Sequence, residues 1–89
     1  LPTQALYLMN SPFVNAEAER AGERISRNGV TDAERVRLAY RLALGREPSA
    51  IEADVGMKFI GKSKTDQKSR AWSALVHSLF GSVDFRHLD

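Results

Sequence analysis

A chain of 89 residues is one domain with room for one modest core, and 43% hydrophobic with 27% charged residues is the composition of a folded globule. The net charge is only +2 and acids and bases are interspersed, which argues against a dedicated nucleic-acid or membrane surface despite a pI of about 9.3. There is no cysteine, so disulfides, thiol catalysis and Cys-ligated zinc or iron–sulfur sites are excluded.

The predicted elements are all helices; no stretch alternates as a strand would. Leu1 to Met9 is a short apolar segment that Pro2 can start. Asn10-Ser11-Pro12 ends it and opens the next helix, with Ser11 as N-cap and Pro12 at the first helical position. Phe13, Val14, Ala18, Ala21 and Ile25 then recur at helical spacing, and Asn28-Gly29 is the stop. Thr31 and Glu34 suit a capping box, with Val30 as staple. The helix they start carries Val36, Leu38, Ala39, Tyr40, Leu42, Ala43 and Leu44. Apolar residues cover more than half its circumference, so it is expected to be the central, most buried helix, ending at Gly45.

Ser49 and Glu52 suit a second capping box after Arg46-Glu47-Pro48. The fourth helix presents Ile51, Val55 and Phe59 as one stripe, with Met57 and Ile60 beside it, and closes at Gly61. Lys62 to Ser69 reads as a polar loop. The last long helix, about Arg70 to Phe80, shows Trp72, Leu75, Val76, Leu79 and Phe80 at core spacing. Val83, Phe85 and Leu88 in the tail are expected to dock on the core. The fold expected is all-α: a compact bundle of four to five helices, residues 1–89 forming a single domain. Because the chain begins at Leu1 and not at Met, it is expected to be a fragment or a processed product of a larger protein.

Chemistry has few places to reside. His77 has no carboxylate or second histidine at ligand spacing, and His87 lies in the tail between Asp84 and Asp89; neither forms a metal motif. None of the eight serines lies in a G-x-S-x-G or S-x-x-K pattern, and Ser11 and Ser49 are accounted for as caps. Gly61-Lys62-Ser63 lacks the spacing and the preceding strand of a phosphate loop. Arg35, Arg37 and Arg41 form the densest basic group, but no exposed aromatics interleave with them. Trp72, Phe59, Tyr40 and Phe80 lie on apolar stripes and read as core. No catalytic, cofactor-binding or metal residue is assigned, and no cofactor is expected. Besides the capping residues, Arg46 has a structural role. At a corner where helix-end carbonyls lack partners, it is expected to be mostly buried, as a structural clamp to Asp84 first or Glu52 second.

Three blocks carry a resemblance: L-P-T-Q-A-L-Y-L-M-N-S-P-F-V (Leu1 to Val14), A-Y-R-L-A-L-G-R-E-P-S (Ala39 to Ser49) and A-W-S-A-L-V-H-S-L-F-G-S-V-D-F (Ala71 to Phe85). Together they resemble the C-terminal domain of unknown function of the exported, cytochrome-c-associated proteins abundant in planctomycetes. Gly81 departs from the pattern, which more often has Asn there. A weaker similarity, over about half the chain, is to a helical module of bacterial linker and surface proteins. The resemblance implies an extracytoplasmic, multi-domain parent and no catalytic residues here; the haem motif C-x-x-C-H is absent from the chain. The expected function is a non-catalytic structural or interaction module packing against other domains of its parent. The alternatives are an accessory part of an enzyme or electron-transfer site, or, less favoured, a nucleic-acid-binding module. Membrane insertion is not expected.

Overall fold

A computed structural model describes residues 9–28 and 31–82, the Thr65 side chain excepted. Among the described residues four α-helices follow one another: α1 (Pro12–Arg27), α2 (Asp32–Leu44), α3 (Ala50–Gly61) and α4 (Lys68–Phe80), with a 3₁₀ turn (Thr65–Gln67) before the last. No strand occurs among the described residues.

Local chemistry accounts for most of the boundaries. Ser11 sits in extended backbone and its hydroxyl accepts from the Val14 N–H at 3.1 Å, with Pro12 opening α1. The side-chain amide of Asn28 donates to the Arg24 carbonyl and closes that helix. Thr31 Oγ1 accepts from the Glu34 N–H at 3.2 Å to start α2, and Gly45 ends it in the left-handed region at φ 70°. Ser49 and Glu52 form the full reciprocal capping box of α3, with bonds of 3.1 and 2.8 Å. The start of α4 differs from expectation. Part of the polar stretch 62–69 is helical: Lys68 reaches back to the Ile60 carbonyl at 2.8 Å, which docks the first turn of α4 on the end of α3.

The expected order of burial is corrected. The central helix is α4, which packs on all three others and most extensively on α1. It buries Ala71, Trp72, Leu75, Val76 and Leu79, whereas α2 buries only Val36, Ala39 and Tyr40 and leaves Leu42 exposed. The reason lies in α1. Its inner face is Ala18, Ala21, Gly22 and Ile25, and at Gly22 the backbones meet: a Cβ there would lie 2.6 Å from the Ser73 nitrogen and 2.8 Å from its Cα. That close approach surrounds Trp72, which is 1% exposed. Across the bundle, Gly56 of α3 meets the Val36 side chain of α2, where a Cβ would lie 3.0 Å from Cγ1.

Two expectations of burial fail. Phe13, placed by spacing on the inner stripe of α1, is 70% exposed. Phe59, expected in the core, is 42% exposed, because α3 turns Gly56 and Ile60 inward instead. The tail residues Val83, Phe85 and Leu88, the first segment to Leu8, and Val30 lie outside the described residues.

Candidate functional site

Two features stand apart from simple core packing: the corner between α2 and α3, and the outward side of α3.

The corner is built on Gly45. Its left-handed backbone turns the chain, and its N–H still donates to the Arg41 carbonyl at 3.0 Å. Arg46 then folds back along the corner. Its two terminal nitrogens donate to the two Glu52 oxygens at 2.8 and 2.9 Å, a bidentate fork, and Nη1 also donates to the Glu47 carbonyl at 3.0 Å. The guanidinium carbon lies 5.8 Å from the centre of the buried Tyr40 ring, within cation–π range. Glu52 accepts in addition from the Ser49 N–H. The Arg46 bonds first, and then the Ser49 N–H, hold the Glu52 carboxyl down to about 2. Arg41 lies beside the corner and pairs with Glu47 at 3.3 Å.

The structure thus brings Arg46 and Glu52 together, while Asp84 lies outside the described residues. Arg46 is half-exposed, its side chain retaining 39% of its accessible surface. It differs from the expected buried position because it rests on the flank of Tyr40 at the molecular rim. These contacts join the corner that follows α2 to the first turn of α3.

The other singled-out residues have similarly local partners. His77 Nε2 lies 2.8 Å from the Met9 carbonyl and ties α4 to the start of the described chain. Arg35 pairs with Asp32 at 2.9 Å and donates to the Asn28 carbonyl, bracing the α1–α2 connection. Ser73 and Ser78 donate to carbonyls of their own helix. Among the described residues no three His, Asp or Glu side chains converge as metal ligands would, and no helix is long and apolar enough to cross a membrane. An open groove of about 290 Å³ lies between α2 and α3, its lining including Ala33, Val36, Arg37, Ala53, Asp54 and Met57.

The outward side of α3 is the unusual surface. Nine of its twelve residues are apolar or glycine; Glu52, Asp54 and Lys58 are the exceptions. Such a helix, apolar nearly all round, is ordinarily buried on several sides. Here only Gly56 and Ile60 are fully buried, while Ile51 is 78% and Val55 59% exposed and Phe59 continues the line. These three stand four residues apart and form one ridge along the helix. Sequence spacing identifies the ridge as one stripe but reads Phe59 as core. The signal that could have placed it outside is the second apolar face, Gly56 and Ile60, because one small neighbour helix cannot cover both.

No curated protein and no solved structure matches the chain. A family model described as "PSD1: Protein of unknown function (DUF1553)" matches residues 1–60, from the first residue to the buried end of α3. The match takes in the Arg46–Glu52 corner and the α3 ridge, and the chain belongs to that family.

Proposed function

We propose that the chain is a non-catalytic helical module through which its parent protein makes protein–protein contacts, packing against other domains of that parent. The exposed ridge of Ile51, Val55 and Phe59 carries this reading. A contiguous apolar surface on a small soluble domain is costly to leave in water and typically marks an interaction site. The polar corner beside it supports the same reading, since the hydrogen-bonding groups of Arg46 and Glu52 are taken up in fixing the angle at which α3 leaves the bundle. We also place the parent outside the cytoplasm, in the exported, cytochrome-c-associated setting that the sequence blocks resemble; that resemblance is what supports it.

Hydrogen exchange tests the module. The amides of α3 should exchange more slowly in the parent protein than in the dilute isolated chain, because covering the ridge suppresses local opening. Val55→Glu should leave the melting temperature of the isolated chain within about 2 °C, as surface changes do, yet return α3 exchange in the parent to the isolated rate. Equal exchange in the unsubstituted parent and in the isolated chain would overturn the reading.

A further inference from the structure

We infer that the α3 ridge packs on a surface of another parent domain that carries an apolar stripe ending in carboxylates. This rests on the reading of the chain as an interaction module and names the chemistry of the partner surface. The ridge does not stop at Phe59. Lys62 follows three residues on, its backbone still helical at φ −79° and ψ −13°, which puts it on the same face of α3 as Ile51, Val55 and Phe59. The apolar line therefore ends in a base. At its other end the Glu52 carboxylate is already met by Arg46, and on its flank Asp54 and Lys58 pair with each other at 3.0 Å. The charge that the ridge offers a partner is thus the positive charge at the Lys62 end.

The fold gathers more bases there. From Lys62 to Arg70 the chain holds Lys62, Lys64, Lys68 and Arg70 against a single acid, Asp66. Lys68 donates to the Ile60 carbonyl, which holds the start of α4, and Arg70 with it, against the end of α3. Lys62, Lys64 and Arg70 are exposed, and no acid stands in the first turn of α4. Among the described residues no carboxylate lies within ion-pair distance of any of the four. The bases that crowd in sequence elsewhere are neutralised: Arg35 pairs with Asp32, Arg41 with Glu47 and Arg46 with Glu52. Like charges gathered without acids repel one another, so this cluster costs stability in the free chain, a cost that negative charge on a partner relieves. Carboxylates fit it better than phosphates do. Asp66 stands among the bases and repels a phosphate backbone, whereas a protein surface can set a base against it. The ridge leading to the cluster is apolar, as the centre of a protein–protein interface is and a nucleic-acid face is not.

Acetylation of lysines at low extent, read by mass spectrometry, tests this. In the isolated chain Lys62 and Lys64 should react as exposed amines do; in the parent both should react about fivefold more slowly or slower still, because carboxylates cover them. Lys64→Glu and Arg70→Glu together, in the parent, should return Lys62 to its rate in the isolated chain with an unchanged helical circular dichroism spectrum. Lys64→Arg and Arg70→Lys together keep the charge and should leave Lys62 protected. Equal reactivity of Lys62 and Lys64 in the parent and in the isolated chain overturns the inference; if the α3 amides are nonetheless protected in the parent, the module reading stands and the partner meets the ridge alone. Protection of Lys62 that survives the charge reversal overturns it equally, since the covering surface is then not acidic. Binding of a DNA duplex by the parent that weakens steeply with salt and is lost on the same reversal overturns it too, and assigns the cluster to phosphates.

Discussion

At the scale of single residues, Arg46 and Glu52 show what an ion pair at a helix corner contributes. Isolated surface pairs add little, because solvent screens them and holding two long side chains costs entropy. This pair has a bidentate geometry, a buried aromatic ring beneath it and a capping bond shared with Ser49, so its parts reinforce one another. Glu52 is a carboxyl whose folded pKa, about 2, lies below its ordinary 4.5. Its contribution is therefore complete above pH 4.5 and is lost as the pH falls from there towards 2. Because both side chains are about one-third exposed, screening reduces the contribution to about 1 kcal/mol. Glu52→Gln should lower the melting temperature at pH 7 and flatten its decline between pH 4.5 and 2. Arg46→Lys, which keeps the charge but not the fork, should recover only part of what Arg46→Ala loses. Thermal melts across that pH range check both, and an Arg46→Ala chain as stable as the unsubstituted one at pH 7 would remove the corner's structural role.

At the scale of elements, what could be read from the sequence was set by how local each cause is. Caps act over three or four residues, so Ser11, Thr31, Gly45 and the Ser49–Glu52 box are all legible, and the helices begin or end beside them. Which helix lies at the centre depends on neighbours far away in sequence. Counting apolar residues favours α2, yet α4 wins because α1 brings a glycine to it and lets the two backbones touch. Spacing also puts Phe59 and Phe13 on apolar faces without showing that both are exposed in the fold. The Arg46–Glu52 pairing was half legible: the corner calls for a donor, but only the fold brings Glu52 within reach of it. Gly22 itself reads only as one more small residue. Gly22→Ala is predicted to destabilise by about 1–3 kcal/mol, despite the better helix propensity of alanine, because the new Cβ meets Ser73 backbone that cannot turn aside. Gly61→Ala is the control, since a Cβ there meets nothing within 4 Å, and it should be neutral or slightly stabilising. Melts of the two variants shifting upward together would show that α1 and α4 are not in backbone contact.

At the scale of the whole molecule, the four helices share one small core. Its largest fully buried side chain, Trp72, stands on α4, which buries more side chains than any other helix described. A radius of gyration of 12.6 Å matches the roughly 12 Å of a single compact globule of this length. One cluster of buried residues draws on all four described helices, so unfolding is expected to be a single cooperative event. Trp72 is also the only tryptophan, so its fluorescence reports the core while circular dichroism reports the helices. The two signals should follow coincident transitions in urea. Trp72→Ala should cost about 3–5 kcal/mol, the range for removing a large aromatic from a packed interior. For a domain this small that lowers the melting temperature by more than about 10 °C, leaving the bundle partly unfolded at physiological temperature. The substitution removes the fluorescent probe, so the variant is followed by circular dichroism and calorimetry. A variant melting within a few degrees of the unsubstituted chain, or fluorescence and helix signals that part company before it is made, would mean that α1 and α4 form a unit which folds without α2 and α3. Gly56 and Val36 would then join two separately stable halves instead of completing one core.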